Sequence, residues 1–188
     1  MAVKVSWPAL LEEIRVCERC GLCRTRTHAV PGEGNPRATL LCIGEGPGRE
    51  EDLQGRPFVG AAGQLLDRML GAIGLGRGDV YIANVVKCRP PQNRTPSREE
   101  ADACLPFLRA QTALIRPRVI LLLGGTALTA VLGESMRVTR DRGRWVERKG
   151  VWILPTYHPA ALLRDPAKKR DAWADLQQVR DKLAELNA

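Results

Sequence analysis

Six cysteines, two histidines and a few polar residues at the ends of apolar runs carry the chemistry open to this 188-residue sequence. Cys17, Cys20 and Cys23 follow one another at intervals of three, while Cys88 and Cys104 lie far downstream with fifteen residues between them. The opening residues carry no charged-then-apolar leader, so close cysteine pairs argue for metal before disulfide. A thioredoxin-type Cys-x2-Cys wants a preceding strand, whereas Leu10, Leu11 and Ile14 recur at helical spacing just before Cys17. Two cysteine pairs so far apart in the chain meet only in the fold, and four thiolates suit either zinc or an iron–sulfur cluster. Cys23 extends the first pair toward a ferredoxin-like run that lacks its final Cys-Pro. Cys42, inside an apolar run, reads as a small core residue.

A second set of candidates sits where apolar runs end. Ala38-Thr39-Leu40-Leu41-Cys42-Ile43 breaks into Gly44-Glu45-Gly46-Pro47-Gly48, which cannot make core. That stretch places backbone N–H groups and one carboxylate at the carboxyl end of a strand. Asn84 closes the run that starts at Val80, Gly124-Gly125 follow the run to Leu123, and His158 follows the run Val151-Trp-Ile-Leu154. In an open α/β sheet such ends converge on one crevice, where ligands bind. A carboxylate, an amide and an imidazole there, with Phe58 nearby, could hold a flat heterocycle. Asn84 offers a base edge both a donor and an acceptor. Phe58 offers a face to stack on, and His158 a donor to a carbonyl oxygen that gains negative charge. Taken singly, each has a plainer use: Asn84 in a turn, His158 capping a helix, Phe58 in the core. Their joint placement at strand ends is what the plainer uses leave unexplained.

The elements that position these groups follow from periodicity. The runs at 38–43, 80–86, 118–123 and 151–154 are apolar without alternation, as strands buried on both faces are. Leu65, Leu66, Met69, Leu70 and Ile73 mark a helix that Gly74 ends. Ser97 with Glu100 makes a capping box for a helix to about Ile115, and another helix runs from Gly124-Gly125-Thr126 to near Gly133. Asp165 caps a long last helix with Pro166 at its first position and Trp173, Leu176, Val179, Leu183 and Leu186 as its stripe. Residues 31–36, 49–60 and 87–94 read as irregular, and 138–148 as a polar stretch with a hairpin around Arg144 to Glu147. Strands alternating with helices predict an α/β fold: three layers, α/β/α, with a central, mainly parallel four-stranded sheet in a single domain over residues 1–188.

No apolar run approaches the roughly 20 residues of a membrane span. A cytoplasmic protein, monomeric and with no membrane partner, is the expectation. Net charge is +8, with 23 Arg against 6 Lys. Arginine's planar fork suits phosphate, and a pI of 9.6 passes the coarse test for a nucleic-acid binder. A biased codon usage would give the same arginine excess with no partner.

At these residues the sequence resembles the family-4 uracil-DNA glycosylases, the iron–sulfur branch of that superfamily, from about Cys17 to Arg164. The resemblance rests on Gly44-Glu-Gly-Pro-Gly48 with Glu51-Asp52, on Gly55-Arg-Pro-Phe-Val-Gly60, on Asn84-Val-Val-Lys-Cys-Arg-Pro-Pro91 and on His158-Pro-Ala-Ala-Leu-Leu-Arg164. It implies a uracil-DNA glycosylase-like fold and a [4Fe-4S] cluster on Cys17, Cys20, Cys88 and Cys104. It implies an enzyme of base excision repair that flips uracil out of single- or double-stranded DNA and hydrolyses its N-glycosidic bond without a lyase step. Asn84 would read the base edge, Phe58 stack on it, His158 bond its O2, and Glu51 stand where thymine's methyl would collide. Gly44 and Gly46 would let the backbone close on the base and sugar, with Glu45 beside the attacking water. Leu162, Leu163 and Arg164 would press into the duplex, and Arg89, Arg94 and the run from Arg140 to Arg144 would meet phosphates. The better-studied branch of the superfamily keeps an aspartate where this chain has Gly46, so Glu45 is not an inherited assignment. Arg49 replaces an acidic continuation common in related chains. No Lys-Arg-Arg-Ile-His insertion follows Lys87, so covalent capture of the DNA product is not expected. A non-catalytic nucleic-acid-binding module and an electron carrier are the rival classes. A carrier has no need of Asn84, Phe58 and His158 at strand ends.

Overall fold

The computed structural model describes residues 6–187. Within them lies one sheet of six strands: β1 (Glu33–Gly34), β2 (Leu40–Gly44), β3 (Val80–Asn84), β4 (Val119–Leu123), β5 (Val146–Arg148) and β6 (Val151–Thr156). Their order is β1-β3-β2-β4-β6-β5. The middle four are parallel, and β1 and β5 pair antiparallel to β3 and β6. The expected four-stranded parallel sheet is therefore the centre of a wider one. The two added strands are only two and three residues long and partly or fully exposed, so no apolar pattern announces them; β5 falls where a hairpin around Arg144 to Glu147 was expected and pairs with β6. Their backbones cover the sheet's edges, where open N–H and C=O groups would invite other chains.

The helices are α1 (Trp7–Arg15), α2 (Arg49–Gln54), α3 (Ala61–Gly71), α4 (Arg98–Ile115), α5 (Gly125–Leu132), α6 (Val138–Asp141), α7 (Pro159–Arg164) and α8 (Lys169–Asn187). Side chains alternate across each strand. Leu41 and Ile43 therefore pack with Leu10, Ile14, Leu108 and Leu128 of α1, α4 and α5. Leu40 and Cys42 pack with Leu66, Leu70, Leu176 and Val179 of α3 and α8. This is the three-layer arrangement, and it explains why the strand sequences do not alternate: both faces are covered. Cys42 is core, and burial pushes its thiol up to about 12.

Local signals hold at the helix ends. Ser97 Oγ accepts from the Glu100 N–H (3.2 Å), and the Glu100 carboxylate accepts from the Ser97 N–H (2.8 Å). Asp165 accepts from the Ala167 N–H, first closing a short 3-10 turn that continues into α8. Trp173 lies outside the buried stripe of α8; Ala172 takes that place. Helix α2, in a stretch that reads as irregular, has Glu50, Glu51 and Asp52 in its first turn and ends at Gly55 with φ 68°. Acidic residues favour a helix start and a left-handed glycine its end.

One polar network braces the end of β6. Asp175, fully buried on α8, accepts from Thr156 Oγ1 (2.6 Å) and takes Arg142 on both oxygens (2.9 and 2.5 Å). Gly143 N–H reaches Pro155 O (2.9 Å), and the Arg142 guanidinium lies over the Tyr157 ring, 5.6 Å from its centroid. Removing one partner of a buried pair leaves an uncompensated charge. Asp175→Ala is expected to lower stability by about 3 kcal/mol, read as a lower midpoint in urea unfolding, with Asp175→Asn losing less because it still accepts. An unchanged midpoint in Asp175→Ala would show that the network does not brace the fold.

Candidate active site

The strand order reverses between β2 and β4: the chain leaves β2 for one neighbour and returns across it to the other. Ligand crevices of open α/β sheets form at the carboxyl ends of such a reversal. A cavity of about 380 Å³ opens there, a size suited to a small flat ligand, and Glu45, Glu51, Phe58, Asn84, His158 and Arg164 are among its lining residues. Gly46 lines it too. Gly44 sits behind the wall: a Cβ there would come within 2.5 Å of both Asn84 Oδ1 and the Phe58 ring. Glycine leaves room for both side chains.

Asn84 is only 2% exposed, and its Oδ1 has no hydrogen-bond partner among the described residues. A buried bare acceptor costs about 1–3 kcal/mol, so it marks a place where a ligand's N–H belongs. The Asn84 backbone is held from below. Lys87, also 2% exposed, donates from Nζ to Asn84 O (2.8 Å) and to Gln111 Oε1 (2.7 Å), and Gln111 Nε2 donates to Pro31 O (2.8 Å). Burial pulls the Lys87 ammonium down to about 8. Lys87 directly follows the apolar run 80–86 and opens a basic loop, so its sequence position does not point to this support.

Phe58 adopts φ 52°, a left-handed conformation that a bulky residue holds only under constraint. The constraint comes from Arg77, whose guanidinium donates to Phe58 O (3.1 Å) and Pro57 O (2.6 Å). Glu51 supplies the rest. Its Oε1 accepts from the Val59 and Gly60 N–H groups (2.8 Å each) and its Oε2 from the Gly48 N–H (3.1 Å). Both Glu51 oxygens are thus spent joining the glycine loop to the Phe58 loop. Arg77 carries no motif, and nothing in its spacing points to this role.

His158 precedes α7, and its Nδ1 accepts from the Ala160 N–H (3.1 Å). Its ring stacks on Phe58, centroids 5.5 Å apart at 28°. Burial first, then the Arg164 guanidinium, push the imidazole down to about 4, against an opposing pull from Glu51. The ring is therefore neutral at pH 7. A nitrogen that accepts carries no proton, so the proton sits on Nε2 as a donor. Gly124, at φ 92°, allows this approach, since a Cβ there would lie 2.9 Å from His158 Cβ. Helix α5 starts beside it, and Thr126 Oγ1 donates to Glu45 Oε2. Thr126 escaped the sequence reading.

The residues expected to touch DNA separate by exposure. Leu163 is 42% exposed and Arg164 exposed, whereas Leu162 is 1% exposed and packs beneath α7. Leu162 is therefore core and not a wedge. Arg89 is half-buried and donates to Asn93 Oδ1 (2.7 Å). Arg94 lines the cavity with its fork on Glu100 (2.8 and 2.7 Å). Arg142 is committed to Asp175 and Arg140 to Asp141, so of that run Arg144 alone projects with no carboxylate partner among the described residues.

A second, smaller cavity is lined by Cys17, Cys20, Cys23, Cys88 and Cys104, with Phe107 beside them. Three sulfurs receive N–H groups: Cys88 from Arg26 Nη1 (3.1 Å), Cys104 from Lys87 N (3.3 Å) and Cys17 from Arg19 N (3.5 Å). Burial pushes the Cys20, Cys88 and Cys104 thiols up, Cys104 to about 11. Buried sulfurs with N–H donors aimed at them fit a metal-bound thiolate set. The thiols ring the cavity: among the described residues no three Cys, His, Asp or Glu side chains converge on one ion-sized point.

A family model described as the uracil DNA glycosylase superfamily matches residues 31–177. A type-4 uracil-DNA glycosylase of Thermotoga maritima is 49% identical over 173 residues, covering 90% of each chain. One of Pyrobaculum aerophilum is 47% identical over 175 residues, 89% of each chain. A type-5 uracil-DNA glycosylase of Pyrobaculum aerophilum is 35% identical over 150 residues, 71% of this chain and 66% of the relative. With half the sheet's loops converging on one base-sized cavity and these identities running nearly end to end, the chain belongs to the uracil DNA glycosylase superfamily, among its type-4 members.

Proposed function

We propose that this protein excises uracil from DNA by hydrolysing its N-glycosidic bond, releasing the base and leaving an abasic site. One observation carries the choice of a uracil edge over a cytosine edge: the bare, buried Asn84 Oδ1 at the cavity wall. Uracil presents an N3–H to such an acceptor and an O4 to the amide nitrogen. Cytosine has no proton at N3 and would leave the acceptor bare, a penalty of the kind that discriminates strongly. The base must first leave the stack, at a cost of a few kcal/mol that is smallest for mispaired or single-stranded uracil. Both strand forms are therefore accepted. Phe58 offers a rigid face for the flipped ring, and its left-handed backbone is fixed before the base arrives.

As the C1′–N1 bond breaks, negative charge spreads to the uracil oxygens and the sugar becomes cationic. A neutral His158 donating from Nε2 to O2 stabilises that departing anion without surrendering a proton, and backbone N–H groups of the glycine loop add to it. Glu45 stands by the sugar and the water. Among the described residues the cavity lining holds no lysine to form a Schiff base with the sugar, which favours a hydrolase with no lyase step. Leu163 and Arg164 enter the space the base vacates, and Arg89, Arg94 and Arg144 follow phosphates, with salt-dependent affinity.

Cys17, Cys20, Cys88 and Cys104 would hold a [4Fe-4S] cluster. Thiols ringing a cavity suit several irons better than one zinc ion, whose four sulfurs must sit about 2.3 Å from a single centre. When bound, the cluster would tie the segment after α1 to the loop after β3 and the start of α4 through these four thiolates, and no step of the reaction passes through it.

On a uracil-containing oligonucleotide, read by alkaline cleavage of the product, His158→Ala and Asn84→Ala are each expected to lower kcat at least about a hundredfold while keeping full iron content. Iron loss in both would mean that they support the fold and not the reaction. Because the depressed His158 value keeps the ring neutral, its NMR signals are expected not to titrate as pH falls from 8 to 5.5; protonation follows only on approach to about 4. A midpoint near the ordinary histidine value would overturn the neutral-donor assignment. Cys88→Ala is expected to lose iron, inorganic sulfide and visible absorption together. Zinc in place of iron in the purified protein would refute the cluster.

A further inference from the structure

Gly46 lines the cavity without a side chain, so the group that orients the attacking water must come from its neighbours. Among the described residues lining the cavity, the carboxylates are Glu45 and Glu51; the other charged or titratable groups there are Arg94, His158 and Arg164. Glu51 is excluded by its bonds, since both of its oxygens are occupied by three backbone N–H groups. Glu45 Oε2 is occupied by Thr126 Oγ1, and Oε1 has no partner among the described residues. Among the described residues, Glu45 Oε1 is thus the carboxylate oxygen on the cavity wall with no bond already made.

We propose that Thr126 is a positioning residue for excision: its hydroxyl fixes the Glu45 carboxylate so that Oε1 orients the water that attacks the sugar. The two residues stand 81 positions apart but at the ends of paired strands, β2 and β4, across the reversal in strand order. Each end is held. Thr126 is the second residue of α5, whose start is set by Gly124 packed on His158, and a β-branched side chain has few rotamers to choose from. Glu45, by contrast, turns about three side-chain bonds and follows a glycine. A donor fixed on one oxygen removes that freedom before the substrate arrives, which is the form of preorganisation that lowers a barrier without tightening substrate binding. The hydroxyl's only proton goes to Glu45, so the bond also holds the carboxylate as an acceptor.

This deepens the uracil-excision reading and rests on it. In the step, the C1′–N1 electron pair leaves with uracil and a water oxygen bonds to C1′. One water proton passes to the Glu45 carboxylate and on to solvent, and uracil N1 takes a proton from solvent.

The test compares Thr126→Val, Thr126→Ser, Glu45→Ala and the double variant Glu45→Ala/Thr126→Val in the full-length, cluster-loaded protein. Valine keeps the shape and removes the donor. Thr126→Val is expected to lower single-turnover excision by about tenfold, the scale of one hydrogen bond to a charged group. KM and affinity for a non-hydrolysable 2′-fluoro-deoxyuridine oligonucleotide should stay unchanged. Thr126→Ser should restore most of the rate, and the double variant should be no slower than Glu45→Ala, because residues acting as a unit are not additive. A wild-type rate in Thr126→Val, no rescue by serine, or additive losses in the double variant would each overturn the proposal. Full activity in Glu45→Ala, with His158→Ala inactive, would remove Glu45 and Thr126 while leaving the excision reading intact. No excision by the wild-type protein would remove that reading itself.

Discussion

Four parallel strands with no exposed face leave this chain few places for polar side chains within the sheet layer. Along β2, β3, β4 and most of β6 every residue is buried under helices, so anything that must meet a ligand is pushed to the carboxyl ends. The order of those strands then decides where the ends face a gap. Between β2 and β4 the connections depart in opposite directions, and Glu45, Asn84, Thr126 and His158 gather around the opening. The helix layers are therefore more than cover: they leave the loops at one end as the site for chemistry.

Holding those loops falls to backbone hydrogen bonds as much as to packing. Glu51 uses its carboxylate on three N–H groups, and Arg77 uses its guanidinium on two carbonyls, so the Phe58 loop is gripped from both sides. A left-handed phenylalanine costs energy in isolation and is kept here because these bonds over-determine it. Close approach does the remainder. Gly44 and Gly124 stand where any side chain would strike Asn84, Phe58 or His158.

Lys87 joins the two chemical regions. Its backbone N–H meets the Cys104 sulfur, and its buried ammonium holds the Asn84 carbonyl. The cysteine cavity and the strand end that carries Asn84 thus share one residue.

Much of this was legible in the chain itself. Unalternating apolar runs announced the buried strands, a capping box the start of α4, and glycine-rich breaks the loops at the strand ends, because each signal depends on neighbours within a few residues. The grouping of Glu45, Phe58, Asn84 and His158 followed from the rule that parallel strands present their carboxyl ends together. What escaped were the contacts that hold the group: Thr126 on Glu45, Arg77 on Phe58, Lys87 under Asn84, and the burial that makes Leu162 core and ties Arg142 to Asp175. The two-residue edge strand β1 also escaped, and β5 was foreshadowed only by the hairpin around Arg144 to Glu147, since such strands are made by pairing and carry no period of their own. Partners tens of residues apart meet only once the strand order is set, and that order comes from packing the whole sheet, not from any local stretch of sequence.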